Sequence, residues 1–477
     1  MLYEALKPIV RIALRWYYRS ITLAGVERIP TQGPVFLAVN HPNALVDALV
    51  VAGCLERRVR FTAKSTIFSN PIAAAFFRAA GVVPLRRAAD ERRAVAAQPA
   101  AGSVDAASGV ATIEAAPGTA TRALDPSRNS ATFEYVADAL AQGAAIVILP
   151  EGISHDAPQL APLRTGLARM VRMAQHERGV RGIRVVPIGL LFEQKEEPRS
   201  RVLMQVGEPL DVDTFQGGDA SVASLTDAVT ERLAAVTLNF ESADDARRIR
   251  LVGDTLGALV EPLREISDDV VPLSATLSLV RRIDRAHRLL RSGTQPGAVE
   301  RIAAFEARLL AFRNTLELAH VDVHDLAIER DAASGVRFTI RETVIAALLL
   351  PFVAWGRLTH FVPVRLARAL ATRNVTSRED PAMRTLVGGV VLVLLSYAVL
   401  TALVGAIAGP WWALLFFASL VPSASSDFRY GDRFRRAQDR ARAYLRFRRD
   451  PSLQRALVAE ADWLRSEAAA LERLATG

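Results

Sequence analysis

The sequence predicts an α/β domain with a central mixed sheet flanked by helices, followed by a helical middle region and a C-terminal membrane hairpin. Three observations predict this. From residue 21 to 212, short β-branched runs alternate with longer segments of helical spacing, the pattern of a sheet covered on both faces. Residues 220–335 are charged and apolar at helical spacing, with Pro262, Pro272 and Pro296 dividing them. Residues 342–424 contain the uncharged run Thr385–Ala406, which exceeds the roughly 18 apolar residues that mark a spanning segment.

The chain opens on an amphipathic stretch. Lys7, Arg11, Arg15 and Arg19 recur along one face, Leu2, Leu6, Ile9, Val10, Ala13 and Tyr17 along another, and Trp16 and Tyr18 flank the second. A basic stripe beside interfacial aromatics predicts that residues 1–20 form a helix in the lipid headgroup region, the alternative being a helix packed on its own domain. No apolar core followed by a small-residue cleavage site, as a secretory signal would need, is expected there.

Predicted strands are Val35–Val39, Val59–Ala63, Val82–Leu85, Ala145–Leu149, Arg184–Ile188 and Val202–Val206. The clearest helix runs from Pro71 to Ala80, with Asn70 before it, Pro71 at its first position and Gly81 past its end. A second covers Ala131–Gln142 and stops at Gly143. Residues 88–128, rich in Ala, Gly, Ser and Pro, interrupt the pattern as a flexible insertion. Residues 213–341 form the helical region.

Within 342–424, Thr385–Ala406 is the long span, Gly409-Pro410 the turn, and Trp411–Val421 a return arm. That arm would be about 17 Å long as a helix, short of a hydrocarbon core of about 30 Å. Residues 343–362 contain Pro351 and are followed closely by charge, which predicts a re-entrant or interfacial segment. Arginines 365–384 precede the hairpin of 385–422, and those of 429–449 follow it. A hairpin puts both clusters on the cytoplasmic face of the inner (cell) membrane, as the positive-inside rule requires. Residues 425–477 are then a basic cytoplasmic tail.

Composition narrows the function. Hydrophobic residues make up 51% of the 477, and mean hydropathy is +0.19, high for a purely soluble chain. The net charge of +9 is almost entirely arginine, because lysine occurs only at positions 7, 64 and 195. A basic, apolar-rich chain suits an anionic membrane surface. No basic patch interleaved with stacking aromatics occurs in the α/β part, so nucleic acid is not an expected partner. Cys54 is the single cysteine, which excludes an intrachain disulfide and a multi-thiolate metal site. The histidines are scattered without ligand spacing, so no metal is expected.

Chemistry concentrates at strand ends. After Val35–Val39 comes Asn40-His41-Pro42, with Asp47 six positions beyond the histidine. Such a pair can activate a hydroxyl: the imidazole takes the proton and the carboxylate fixes its tautomer. Gly81-Val82-Val83-Pro84-Leu85-Arg86-Arg87 ends in a cation, Leu149-Pro150-Glu151-Gly152-Ile153-Ser154-His155 is followed by Arg164, and Val185-Val186-Pro187-Ile188 comes last.

In this order the four segments resemble the glycerolipid acyltransferases, which acylate glycerol 3-phosphate and lysophosphatidic acid. The family pattern is N-H-x4-D, G-x-[IV]-P-x-x-R, F-P-E-G-x-S and [VI]-P-[VIC], and residues 35–210 cover all four boxes. Two departures stand out: five residues separate His41 from Asp47, and Leu149 replaces the phenylalanine. The longer spacer looks like the branch of fungal-type glycerol-3-phosphate/dihydroxyacetone-phosphate acyltransferases, which also carries a helical middle and C-terminal membrane segments.

The resemblance implies His41 as general base and Asp47 as its orienting carboxylate, with the acceptor oxygen attacking an acyl thioester directly. It implies Arg87, with Arg164 second, at the acceptor phosphate. Glu151, Gly152 and Ser154 would shape the acceptor site, and Lys64 would contact phosphate or the thioester donor. The donor would be acyl-CoA or acyl carrier protein, with no further cofactor, and the partners would be membrane lipids and a glycerol phosphate. A second-step acyltransferase acting on lysophosphatidate, a catalytically silent membrane scaffold, and a lipid hydrolase using water remain the alternatives.

Overall fold

The computed structural model describes residues 2–85, 130–195, 197–215, 219–260, 273–292, 297–371, 373 and 380–476. The insertion at 88–128 and the prolines at 262, 272 and 296 lie outside them. The α/β unit begins with α1 (Leu2–Tyr17) and β1 (Ser20–Ala24), then β2 (Val35–Val39), α2 (Ala44–Cys54), β3 (Val59–Lys64), α3 (Pro71–Ala79) and β4 (Val82–Leu85). It continues with α4 (Ser130–Ala141), β5 (Ala145–Ile148), α5 (Gly166–Arg178), β6 (Arg184–Phe192), β7 (Arg201–Val206) and β8 (Leu210–Asp211).

The strands form one mixed sheet in the order β1-β7-β6-β2-β5-β3-β4, with β8 on β6. β6, β2, β5, β3 and β4 run parallel, and β7 is antiparallel to β6. Every residue of β2 and β5 is buried, because central parallel strands are covered on both faces. The pleat sorts them. Val35, Leu37 and Val39 pack with α1 and α2, whereas Phe36 and Ala38 pack with α4, α5 and the next helix, α6 (Asp219–Val236). The mixed sheet expected from the sequence is therefore present, with β1 and β8 as additions.

The helical part comprises α7 (Ala243–Val260), α8 (Leu273–Ser292) and α9 (Ala298–Ala319). After it come α10 (Ala332–Ala371), α11 (Asp380–Ala408), α12 (Pro410–Arg449) and α13 (Pro451–Thr476). α10 and α11 are long and apolar enough to cross a membrane, and Leu348, Leu358, Val391 and Ile407 on them are exposed. Gly356 on α10 lets α12 approach closely: a Cβ there would lie 2.2 Å from the Ser423 carbonyl oxygen.

Three sequence expectations change. The re-entrant segment of 343–362 is instead the middle of α10, which runs through Pro351 and Pro363 unbroken. Packing against α11 and α12 keeps the helix continuous where the missing N–H groups would otherwise break it. Residues 425–477 are no separate tail. Ala443, Phe447, Leu457 and Leu464 are buried with α7 and α9, and Arg301–Glu467 and Arg308–Glu460 tie α9 to α13. The helix at the start of the chain is packed on the domain rather than lying free: Tyr3, Leu14 and Tyr17 are buried, and Trp16 Nε1 donates to Ser425 Oγ at 3.1 Å.

Candidate active site

The carboxyl ends of β2 and β5 and the chain leaving β6 converge on one edge of the sheet, the edge where parallel α/β folds hold ligands. β2 is closed off by Asn40, whose Oδ1 accepts the Leu190 N–H at 2.6 Å while its Nδ2 donates to the Leu190 carbonyl at 3.1 Å. The side-chain amide thus imitates one more rung of the ladder and turns His41 out of the strand.

The longer spacer is absorbed in the turn that follows. Asn43 caps α2 and Ala44 adopts a left-handed φ of 48°. Non-glycine residues rarely take that conformation, and it is held where surrounding contacts demand it. α2 then starts early enough for Asp47, in its first turn, to reach back. Asp47 Oδ2 lies 2.9 Å from His41 Nδ1 and also accepts the Asn43 N–H at 2.9 Å. Asp47 is fully buried and His41 is 8% exposed. A carboxylate near a helix N-terminus is stabilised by the helix dipole. With Asp47 ionised, Nδ1 carries the imidazole proton and Nε2 keeps its lone pair for an incoming hydroxyl.

Glu151 ties this loop to the one after β5. Its Oε1 accepts the His41 backbone N–H at 2.7 Å. Its Oε2 accepts the Ala161 N–H at 2.8 Å and pairs with His155 Nε2. Because His155 Nδ1 accepts the Ala157 N–H at 3.1 Å, its Nε2 is the protonated nitrogen. Both oxygens of Glu151 are thus engaged by protein groups. Ser154 Oγ accepts the Ala44 N–H at 3.1 Å, anchoring the same loop to the start of α2.

Gly152 has φ +74°, and a Cβ there would stand 3.4 Å from Arg164 Cγ. The Arg164 N–H donates to the Pro150 carbonyl at 2.8 Å, so the backbone of Arg164 is fixed. Its side chain is exposed and makes no ion pair among the described residues. Arg87 lies outside the described residues, two positions in sequence past the end of β4. Lys64 is the last residue of β3, in register with Leu85, and its side chain is likewise outside the description.

Sequence reasoning missed Lys195. Its Nζ donates to the Pro42 carbonyl at 2.9 Å and pairs with Asp156, and its own carbonyl accepts from Asn43 Nδ2 at 3.3 Å. It laces the chain leaving β6 to both other loops. The only available signal was its rarity, a lysine in a chain that otherwise uses arginine. Among the described residues no group of three or more His, Cys, Asp or Glu side chains could hold a metal ion.

The sequence model of the family described as Acyltransferase matches residues 20–191, which include β1 to β5, most of β6 and every residue of the His41–Asp47–Glu151 arrangement. The segment is an acyltransferase domain. It aligns with glycerol-3-phosphate O-acyltransferase 2 of Saccharomyces cerevisiae at 32% identity over 164 residues, 32% of this chain and 21% of that protein. Glycerol-3-phosphate O-acyltransferase 1 of the same yeast aligns at 25% identity, covering 46% of this chain and 37% of its own length. An uncharacterized acyltransferase of Schizosaccharomyces pombe aligns at 22% identity, with 45% and 39% covered. The chain thus spans well under half the length of these relatives. Among solved structures, the 1-acyl-sn-glycerophosphate (LPA) acyltransferase PlsC of Thermotoga maritima is similar with a TM-score of 0.32 and 16% identity. That match covers 48% of this chain and 77% of the other.

Proposed function

We propose that the protein transfers a fatty acyl group from acyl-CoA or acyl carrier protein to a hydroxyl of glycerol 3-phosphate. The observation that carries this reading is the contact of 2.9 Å between His41 Nδ1 and buried Asp47, set at the sheet edge of an acyltransferase domain. His41 Nε2 takes the acceptor hydroxyl proton as the oxygen attacks the thioester carbonyl. The tetrahedral intermediate then collapses, the C–S bond breaks, and the departing thiolate recovers the proton from the imidazolium. Asp47 holds the ring and stabilises its charged form. Arg164 and Arg87 supply guanidinium groups for the acceptor phosphate, whose oxygens match their fork geometry. Glycerol 3-phosphate is favoured as acceptor by the names of the two budding-yeast relatives.

The product belongs in lipid, and the chain carries two helices able to cross a membrane. We place the domain on the cytoplasmic face of the cell membrane, supported by the arginines of 429–449, which follow the apolar helices and pack beside it.

The test is acyl transfer by the full chain in lipid vesicles, with glycerol 3-phosphate, dihydroxyacetone phosphate and lysophosphatidate offered in competition. Preferential acylation of glycerol 3-phosphate, lost in His41→Ala, is the expected result. Preference for lysophosphatidate would assign the second acylation step. Transfer at an unchanged rate in His41→Ala would overturn the base assignment, and free fatty acid without acylated acceptor would make the protein a hydrolase.

A further inference from the structure

Between α1 and the three C-terminal helices α10, α11 and α12 lies a cavity of about 1440 Å³. Small-molecule sites commonly measure about 300–1,000 Å³, so this one is large. Its walls are mainly apolar, with Ile9 from α1, Leu349, Val353 and Phe361 from α10, and Val393 from α11. Water does not fill an apolar space of this kind favourably.

The arginines around it are unequal. Arg357 faces Asp427 at 3.2 Å, Arg433 faces Glu342 at 3.1 Å, and Arg435 is 2.5 Å from Asp432. Arg365 has no carboxylate partner among the described residues. Its guanidinium lies over the Phe361 ring, 4.8 Å from the centroid, and it lines the cavity one turn before Arg368. Arg365 is exposed near the C-terminal end of α10, a helix long and apolar enough to cross a membrane, where a guanidinium meets lipid headgroups. A positive group at an apolar cavity among lipid-facing helices calls for an amphiphile bearing an anion.

We propose that this cavity holds one anionic phospholipid drawn from the bilayer, its acyl chains among Ile9, Leu349, Val353 and Val393 and its phosphate on the Arg365 guanidinium. The fork of an arginine matches phosphate oxygens, and the neighbouring aromatic face orients it. The lipid would border the α/β domain where α1 ends, beside Tyr17 and Arg199. Tyr17 lines the cavity, and its ring packs edge-on, 4.8 Å between centroids, against the buried ring of Tyr18. Occupancy would therefore brace the junction between the membrane helices and the α/β domain.

Native mass spectrometry of the full chain in detergent tests this with added phosphatidylglycerol or phosphatidylcholine, and reads binding without acyl transfer. It stands or falls independently of the proposed activity. One phosphatidylglycerol per chain is expected, bound at least fivefold more than phosphatidylcholine. Arg365→Gln should lower that occupancy fivefold or more, whereas Arg455→Gln, exposed on α13, should not. Val353→Trp, which fills the cavity with a larger side chain, should lower occupancy by either lipid. Equal binding of the two lipids, or undiminished binding in both Arg365→Gln and Val353→Trp, would overturn the proposal. Displacement by millimolar inorganic phosphate would instead assign a free-phosphate site and likewise overturn it.

Discussion

Glu151 accepts the backbone N–H of His41 at 2.7 Å, across a sequence separation of 110 residues. His41 is thus held twice, by Asp47 at its ring and by Glu151 at its main chain. Glu151→Gln offers only one acceptor oxygen to three protein donors, so either His41 or the pair of Ala161 and His155 loses its partner. A charge-assisted hydrogen bond contributes about 1.5–3 kcal/mol. If that loss falls on the placement of His41, kcat drops roughly 10–100-fold with little change in KM, since each 1.36 kcal/mol is tenfold. Steady-state kinetics decide it, and a changed KM at constant kcat would show that Glu151 acts on acceptor binding instead.

Asp47→Asn keeps the size of the side chain and removes the charge. The amide can present its NH₂ to Nδ1, which leaves the proton on Nε2 and turns that nitrogen into a donor. The expected loss in kcat is on the order of 10²–10⁴, with acceptor KM nearly unchanged. A loss below about tenfold would mean that His41 does not depend on Asp47 for its tautomer.

The fold edge carrying this pair was legible because its signals are local. Val35–Val39 is a continuous apolar run, and His41 and Asp47 lie within one short turn and the first turn of a helix. The remainder of the site rests on long-range contacts. Lys195 meets Pro42, and Glu151 meets His41, only after the sheet has folded, and no spacing in the sequence announces either. α10 was misread for a physical reason: Pro351 and Arg357 are breaking signals in water, whereas neighbouring helices keep the chain helical here. The basic segment after 425 looked solvated because the acids facing arginines of α8 and α9 arrive later, at Glu460, Glu467 and Glu472.

Acid should loosen the junction between α12 and the α/β domain. Burial alone would push the Asp432 carboxyl up, but its hydrogen bond with Arg199 and the charges of Arg199 and Arg435 outweigh this and hold it below the usual range. A carboxylate with a depressed folded-state pKa contributes stability that is fully present above its unfolded value, about 3.9, and is lost as pH falls through the folded one. Arg199 also donates to the Tyr18 carbonyl at 3.3 Å, so the same loss reaches the end of α1. Thermal midpoints measured from pH 6 down to pH 3 should fall more steeply in the wild type than in Asp432→Asn, which lacks this titration. Parallel curves would remove Asp432 from the account.

Cys54 provides a test of the chemistry itself. It ends α2, seven residues after Asp47, and burial pushes its thiol up to about 11, with Arg11 opposing the rise only in part. At pH 7.5 fewer than about one thiol in a thousand is then ionised, and the thiolate is the nucleophile in any acyl-enzyme route through cysteine. Direct attack by the acceptor oxygen requires no such intermediate. Iodoacetamide should therefore leave the native protein active, Cys54→Ala should retain acyl transfer within about twofold, and alkylation should become rapid only on unfolding. Burst release of the thiol product followed by trapping of an acyl group on Cys54 would reverse the assignment and make His41 an activator of the thiol. With Cys54 as the single cysteine, peptide mapping after a single-turnover reaction distinguishes the two routes without ambiguity.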